Sequence, residues 1–201
     1  MQPAHAGCSP CPRKPCARRE IGAGANREDA LTEAHVLGVV LAGGRSSRFG
    51  SDKARAMFDG RALAEHAREL LLHHVEQAVI VGPDGAIPDL PCPGLGPLGG
   101  IAGALQYAKG LGFTSILTIA CDMPRLPRGL LDALLRRAPA YCPEAPVLGH
   151  WETASTTALI AHIAASQRRS VCGWAEAIGA LPIPAGGPIV NINTPEDLAL
   201  L

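Results

Sequence analysis

The sequence has few aromatic residues, no excess of positive or negative charge, and no long apolar run. Phenylalanine, tyrosine and tryptophan make up only 3% of its 201 residues, so aliphatic side chains have to build the core. The formal net charge is zero, whereas a nucleic-acid-binding surface normally carries an excess of lysine and arginine. No apolar run approaches the roughly 20 residues that a transmembrane helix needs. We therefore expect a globular protein that binds neither nucleic acid nor membrane.

The cysteines do not form the framework of a disulfide-bonded secreted domain. There are seven of them, an odd number, and most are scattered. Cys8 and Cys11 form a Cys-x-x-Cys pair, but no second pair completes a zinc site. Residues 1–34 contain prolines, a basic cluster and little periodicity, and they lack the apolar segment of a signal peptide. We expect these residues to be a disordered extension of a cytoplasmic protein, and a natural start downstream of Met1 stays open.

The motifs of several common enzyme classes are missing too. None of the seven histidines has metal-ligand spacing or accompanies a Gly-x-Ser-x-Gly segment. The most glycine-rich loop is not a P-loop, because Asp52 precedes Lys53 and Ala54 follows it. Nor is it a dinucleotide fingerprint, because Gly43 and Gly44 are adjacent instead of being separated by one residue. These absences leave an unusual loop whose chemistry has to be read from its own residues.

That loop directly follows the apolar run Val36–Leu41, which we predict to be a buried strand. Residues 41–53 read Leu-Ala-Gly-Gly-Arg-Ser-Ser-Arg-Phe-Gly-Ser-Asp-Lys. Glycines let the backbone approach a ligand closely, and successive N–H groups can then hold anionic oxygens. The cations Arg45, Arg48 and Lys53 can neutralise a polyphosphate. The loop therefore indicates a binding site for a nucleoside triphosphate, and its alternative is a glycine-rich surface turn.

Short apolar runs alternate with helical stretches from residue 35 onwards. The runs are continuous, which is typical of parallel strands with both faces covered. We predict strands at Val36–Leu41, Gln77–Val81, Ser115–Ala120 and Pro188–Asn191, and a loop or edge strand around Ala140–Leu148. We predict helices at Ala62–His73, Leu98–Lys109, Arg128–Arg137, Glu152–Ala165, Ser170–Ile178 and Thr194–Leu201. This pattern predicts an α/β fold, a doubly wound and mostly parallel sheet with helices on both faces, in one domain over residues 35–201.

Asp122 follows the predicted strand Ser115–Ala120 within the segment Cys-Asp-Met-Pro. Ligands of doubly wound sheets bind outside the carboxyl ends of the strands, so Asp122 and the glycine-rich loop should lie at the same edge. A carboxylate there can hold Mg²⁺ together with phosphate oxygens. The structural alternative is an aspartate that caps the turn before Pro124.

Two further segments combine a structural interpretation with a binding one. Residues 96–100, Gly-Pro-Leu-Gly-Gly, form a tight turn into a helix whose first N–H groups can also face a ligand. Asn191 and Asn193 alternate, so on an extended segment both amides point to the same side. They can bind a ligand or cap the helix that Thr194 is expected to begin.

The pattern Leu-Ala-Gly-Gly-x-x-x-Arg-h-Gly-x-Asp-Lys, where h is apolar, resembles the signature of nucleotidyltransferases. The version here is similar to that of the molybdenum cofactor guanylyltransferases. The resemblance covers roughly residues 36–201, with specific motifs before Pro124 and weaker ones after it. It implies a Rossmann-like nucleotidyltransferase fold, whose N-terminal half binds nucleotide and whose C-terminal part binds the acceptor. It also implies transfer of GMP from GTP to the terminal phosphate of molybdenum-molybdopterin, with release of pyrophosphate.

The resemblance assigns roles to individual residues. The catalytic residues would be Lys53, Arg48 and Asp122, and Asp122 would be the ligand of the Mg²⁺ cofactor. The nucleotide-binding residues would be Leu41, Ala42, Gly43, Gly44, Lys53, Asp89, Gly96, Pro97, Leu98 and Asp122. The acceptor-binding residues would be Asn191, Asn193, Arg168 and Arg169, although the arginine pair has a solvated surface as its alternative.

Some points stay open at this stage. Gly82 and Pro83 stand where many relatives carry an asparagine that contacts the nucleotide, so base recognition could differ. One alternative is cytidylyl transfer from CTP to molybdopterin, or nucleotidyl transfer to another phosphorylated acceptor. An alternative of another class is a non-catalytic nucleotide- or cofactor-binding protein. The resemblance names GTP and molybdopterin as substrates, and proteins of molybdenum insertion and molybdoenzyme maturation as candidate partners.

Overall fold

A computed structural model describes residues 35–43, 53–82, 87–165 and 169–198. These residues belong to one compact unit, which spans Glu33–Leu201. The expectation of disorder in residues 1–34 lies outside the described residues, as do Gly44, Arg48 and Arg168.

A mostly parallel sheet lies at the centre of the described chain. The strands are β1 (Val36–Leu41), β2 (Met57–Phe58), β3 (Arg61–Ala62), β4 (Gln77–Val81), β5 (Ser115–Ala120), β6 (Ala140–Tyr141), β7 (Gly149–Glu152) and β8 (Leu181–Pro182). Six of them form one sheet in the order β4-β1-β5-β7-β6-β8, while β2 and β3 form a separate hairpin. Within this sheet only β7 runs against the other strands. The predicted α/β sheet is confirmed.

Helices cover both faces of the sheet. They are α1 (Leu63–Leu72), α2 (Pro97–Gly110), α3 (Leu130–Leu135), α4 (Thr156–Ala165), α5 (Val171–Ala177) and α6 (Pro195–Leu198). Neighbouring residues of β1 pack on opposite faces of the sheet. Val39 belongs to the core formed with α2, α4 and α5, and Val40 belongs to the core formed with α1 and α3. Both are fully buried, which is why β1 is a continuous apolar run. None of the described helices has the length and apolar character needed to cross a membrane.

Several predicted elements were wrong or misplaced in the second half of the chain. Pro188–Asn191 is not a strand: only an isolated bridge joins Val190 to Arg125, and proline has no N–H to extend a ladder. The helix predicted from Glu152 begins later, at Thr156, because β7 ends at Glu152 and a 3₁₀ turn follows. The helix predicted over Arg128–Arg137 is confined to α3. Gly129, with a φ of 76°, precedes the first residue of α3 and lies outside the helical conformation.

The hairpin β2–β3 was absent from the prediction, although its turn carries a recognisable signal. Asp59 and Gly60 connect the two strands with φ values of 46° and 77°. An Asp-Gly pair with both φ values positive is typical of a tight two-residue hairpin turn. Ala56 and Phe58 of this region pack around Leu63 and place the 3₁₀ turn Lys53–Arg55 beside α1.

Candidate active site

Two loops with predicted substrate-binding residues leave the same edge of the sheet. The Ala42 N–H donates to the Val81 carbonyl oxygen at 2.7 Å, and the Cys121 N–H donates to the Leu41 carbonyl oxygen at 3.2 Å. These two bonds continue the pairing of β1 with β4 and β5 beyond the strand ends. The start of the glycine-rich loop and Asp122 therefore lie next to each other at the carboxyl ends of β1 and β5, where doubly wound sheets bind ligands.

Lys53 and Asp122 form an ion pair although 69 positions separate them in the sequence. The Lys53 Nζ donates to Asp122 Oδ2 at 2.8 Å, and the side chains are 14% and 25% exposed. Lys53 opens the 3₁₀ turn Lys53–Arg55, which buried Ala54 anchors to the core formed with α1 and α3. The fold thus places a partly shielded cation and carboxylate at the edge where the sequence predicts a triphosphate.

The second carboxylate oxygen of Asp122 has no partner among the described residues. Asp122 Oδ1 is buried and accepts no hydrogen bond there. A buried carboxylate oxygen without a partner costs free energy, so it is a natural position for a cation to bind. Among the described residues no group of three His, Cys, Asp or Glu side chains could hold a metal ion by itself. An ion at Asp122 would therefore share its coordination with substrate phosphate oxygens and water, as Mg²⁺ sites commonly do.

The segment before α6 docks directly on the Asp122 loop. The Ile192 N–H donates to the Asp122 carbonyl oxygen at 2.9 Å. The Ile192 side chain is fully buried in a small cluster with Leu63. Asn193, the residue after Ile192, is exposed. Its side-chain oxygen Oδ1 accepts a long hydrogen bond of 3.4 Å from Lys53 Nζ. One predicted acceptor-binding residue is thereby brought to the Lys53–Asp122 pair.

Asp89 meets the N-terminus of α2 and the end of β1. A Cβ placed on Gly99 would lie 3.2 Å from the Asp89 Cβ, and one on Gly100 would lie 3.1 Å from Leu41 Cδ2. The Leu90 N–H donates to the Gly99 carbonyl oxygen at 3.1 Å. Both glycines are buried, and any side chain on them would press on these neighbours. The structure thus gathers Leu41, Asp89 and the start of α2, all predicted to bind nucleotide.

The residues of the turn that leads into α2, Gly96, Pro97 and Leu98, differ in which atoms they expose to a ligand. Gly96 has a φ of 67°, which only glycine adopts readily, and Pro97 then opens α2 with its fixed φ. Both residues are exposed, whereas the Leu98 side chain is fully buried in the core. Leu98 can therefore contribute only backbone atoms to a binding site.

The remaining predicted site residues are not brought to the ion pair by a described contact. Gly44, Arg48 and Arg168 lie outside the described residues. Asn191 is exposed on the same segment as Asn193, and Arg169 is exposed ahead of α5. Neither of these two forms a hydrogen bond or ion pair within the described part of the chain. Their predicted roles stay predictions.

One residue of the site was missed by the sequence prediction. Asp197 Oδ2 accepts hydrogen bonds from the N–H groups of Asn193, at 2.7 Å, and Thr194, at 2.8 Å. Both hydrogen bonds lower the pKa of Asp197 below its usual value, and the bond from Asn193 has the larger effect. In return, the Asp197 N–H approaches Thr194 Oγ1 at 3.4 Å. Residues 194–197, Thr-Pro-Glu-Asp, have the spacing of a capping box, which would have revealed this arrangement.

Comparisons with known proteins agree with this geometry. The model of the MobA-like NTP transferase domain matches residues 38–176. The chain is 34% identical over 181 residues to the molybdenum cofactor guanylyltransferase of Rhodobacter capsulatus, covering 82% of this chain and 93% of that protein. It is 36% identical over 197 residues to the enzyme of the same name from Rhizobium leguminosarum bv. trifolii, covering 86% and 94%.

A solved structure shares the fold. The molybdopterin-guanine dinucleotide biosynthesis protein A from Archaeoglobus fulgidus superposes with a TM-score of 0.57 at 22% identity. The match covers 82% of this chain and 95% of that chain. The matched domain model and two relatives aligned over nearly their full length show that this chain belongs to the MobA-like NTP transferase family, together with the molybdenum cofactor guanylyltransferases, and is a nucleotidyltransferase.

Proposed function

We propose that this enzyme transfers GMP from GTP to the terminal phosphate of molybdenum-molybdopterin and releases pyrophosphate. Both curated relatives described above carry the name molybdenum cofactor guanylyltransferase and align over more than nine-tenths of their own length. The observation that carries the proposal is the Lys53–Asp122 pair at the carboxyl edge of the sheet, with Asp122 Oδ1 free of described partners. This pair supplies the charges that phosphate transfer needs.

The proposed reaction needs no general base. A phosphate monoester is mostly ionised near pH 7, so the acceptor oxygen is already a nucleophile. It attacks the α-phosphorus of GTP and forms the new P–O bond. The bond from the α-phosphorus to the bridging oxygen breaks, and pyrophosphate leaves with that electron pair. Catalysis then consists of positioning and charge stabilisation, which the chain can supply with a lysine and a carboxylate.

Lys53 is the chain's own contribution to charge stabilisation. Its ammonium group is partly shielded and held by two oxygen acceptors, Asp122 Oδ2 and Asn193 Oδ1. Phosphate oxygens that enter this edge offer the ammonium group stronger acceptors than the Asn193 amide. We infer that Lys53 binds the triphosphate and stabilises the charge that develops on pyrophosphate.

Asp122 is the residue that would hold Mg²⁺. Its buried oxygen Oδ1, which has no partner among the described residues, fits a hard cation with oxygen ligands. A bound Mg²⁺ would neutralise phosphate charge and make the α-phosphorus more electrophilic. Asp122 also orients Lys53 through its other carboxylate oxygen, so the same side chain serves both groups.

The two substrates would bind on opposite sides of this pair. Leu41, Asp89 and residues 96–100 would form the GTP side, in the N-terminal half of the domain. Asn193, with Asn191 on the same extended segment, would form the acceptor side. Position 82 adds no base contact, since glycine has no side chain and a Cβ there would lie 3.2 Å from Ala42. In keeping with the family resemblance, guanine selection would involve Asp89 and residues 96–100.

The test is pyrophosphate release from GTP, CTP, ATP and UTP, each with molybdenum-loaded molybdopterin and Mg²⁺. Release that is specific for GTP is the expected result. Release with CTP would retain the chemistry and identify a cytidylyltransferase. Nucleotide binding without release from any of the four would indicate the non-catalytic alternative. A cytoplasmic location and contacts with molybdenum-insertion or molybdoenzyme-maturation proteins belong to the same proposal.

A further inference from the structure

A carboxylate that no prediction included lies directly behind the acceptor side of the site. Asp197 lies in the first turn of α6. Its Oδ2 accepts hydrogen bonds from the backbone N–H groups of both Asn193 and Thr194. The two distances, 2.7 and 2.8 Å, are in the range of charge-assisted hydrogen bonds. The backbone at these two residues is therefore held at its N–H groups by a single side chain.

The segment that Asp197 holds is fixed at a second point. The buried Ile192 side chain and its N–H bond to the Asp122 carbonyl oxygen anchor the residue just before Asn193. With Ile192 fixed on one side and Asp197 on the other, the backbone of Asn193 has little freedom to rotate. From this backbone position the Asn193 side chain reaches Lys53 Nζ, with Oδ1 at 3.4 Å.

We propose that Asp197 is a positioning residue, which fixes the backbone of Asn193 and Thr194 so that the Asn193 amide faces the acceptor beside Lys53. The inference rests on the proposed function, because it assigns Asn193 to the acceptor side of that reaction. Asp197 acts through Asn193 and touches no substrate itself.

The electrostatics agree with this role. Hydrogen bonds from the Asn193 and Thr194 N–H groups lower the pKa of Asp197, and the positive charge of Lys53 adds to the effect. The carboxylate therefore stays ionised at neutral pH, and both backbone bonds persist. The competing interpretation is that Asp197 only caps α6, which would affect the stability of a four-residue helix and nothing else.

Three variants separate positioning from capping. Asp197→Ala removes both hydrogen bonds. Asp197→Asn keeps a carbonyl oxygen that can accept them without the charge. Glu196→Ala is the matched control, because this neighbouring acid is exposed and has no hydrogen-bond partner among the described residues. Each is assayed by pyrophosphate release for kcat and for the KM of GTP and of the acceptor, and by amide NMR.

We expect Asp197→Ala to raise the acceptor KM about tenfold or more, because small displacements of positioning groups are costly, with the KM for GTP unchanged. The amide proton signals of Asn193 and Thr194 should move upfield in this variant. Asp197→Asn should restore most of the acceptor KM, and Glu196→Ala should match the wild type in both substrates. Thermal unfolding of each variant confirms that it is folded.

The failures of the two proposals look different. A wild type that releases no pyrophosphate from GTP with the acceptor overturns the proposed function, and this inference with it. An active wild type whose Asp197→Ala variant keeps its acceptor KM or its amide shifts overturns the inference alone. An equal rise in both KM values also overturns it, because a general loss of structure does not distinguish the two substrates.

Discussion

At the scale of single residues, the Lys53–Asp122 pair is more shielded than the other ion pairs of the described structure. The Arg68–Glu65 pair on α1 has the same 2.8 Å separation, but its side chains are 40% and 47% exposed. Exposed pairs contribute little because water and salt screen them, whereas a shielded charge interacts strongly with what lies next to it. We therefore expect a phosphate to bind more tightly at Lys53 than at an exposed lysine.

The first prediction follows from this shielding. Lys53→Ala and Asp122→Ala should each lower kcat by about 10²-fold or more, since each removes a charge aimed at the reacting phosphates. Steady-state pyrophosphate release measures the loss, and circular dichroism verifies the fold. The control is Arg68→Ala, which removes the exposed Arg68–Glu65 ion pair and should keep wild-type turnover. Near-normal turnover in either active-site variant would contradict the assigned roles.

At the scale of elements, the contact between α2 and the segment before it determines where Asp89 lies. Gly103 faces this segment so closely that a Cβ would lie 2.1 Å from the Pro88 carbonyl oxygen. Only glycine permits this approach, and a side chain would have to displace Pro88 and with it the neighbouring Asp89. The position of Asp89, on the proposed nucleotide side of the site, thus depends on Gly103, which lies one helical turn after Gly99.

Gly103→Ala should therefore impair nucleotide binding without touching the nucleotide. We expect the KM for GTP to rise about tenfold or more, because small displacements of positioning groups are costly. Gly110→Ala, at the end of the same helix, is the control: a Cβ there has no neighbour within 4 Å. A Gly103→Ala enzyme with the wild-type KM for GTP would show that Asp89 does not bind the nucleotide.

The strand β7 carries a pH-sensitive residue into the core. His150 Nδ1 lies 3.1 Å from the Leu134 carbonyl oxygen and Nε2 lies 2.8 Å from Ser115 Oγ. Since a carbonyl oxygen only accepts, Nδ1 carries the proton and Nε2 accepts from Ser115 in the neutral ring. Burial lowers the pKa of His150 below its ordinary value of 6.5. The unfolded chain consequently binds this proton more readily than the folded one.

From this difference we predict that the free energy of unfolding falls as pH drops below about 6.5. Above that pH the ring is neutral in both states and contributes no slope. Urea denaturation at several pH values between pH 8 and pH 5 measures the effect. His150→Asn, which retains a donor for Leu134, should flatten the slope, and exposed His73→Asn should not. Equal slopes in all three proteins would contradict the prediction.

At the scale of the whole molecule, ligand binding should stabilise the fold by mass action. GTP at about 100 times its Kd with Mg²⁺ adds about 2.7 kcal/mol, which corresponds to a rise in Tm of about 5–10 °C. Differential scanning fluorimetry measures this shift. CTP at the same concentration is the control and should produce a smaller rise. Equal shifts with both nucleotides would contradict the proposed preference for guanine.

The parallel half of the fold could be predicted from the sequence because its signal is local. The bounds of β1, β4 and β5 agree with the prediction. Strands that are covered on both faces consist of unbroken apolar runs, which can be recognised in the sequence. That agreement also located Asp122 and the start of the glycine-rich loop at one edge. By contrast, β6 and β8 have two residues each, and their pairing depends on partners far away in the sequence.

The site was predictable where a residue adjoins a strand end, and not where distant segments meet. Nothing in the spacing indicates that Gly103 touches Pro88, or that Ile192 bonds to the backbone of Asp122. Asp197 is an intermediate case. Its capping-box spacing is local, but its bond to Asn193 acquires meaning only when Asn193 is seen beside Lys53.

The shared hydrogen bonding of Lys53 has a consequence for the order of events in catalysis. The ammonium group of Lys53 donates to both Asp122 and Asn193. A triphosphate that captures this group withdraws a hydrogen bond from the Asn193 amide and so leaves the amide free for a new partner. In the proposed reaction, GTP would thus prepare the acceptor site by arriving first, and the two substrates would add in sequence to a ternary complex.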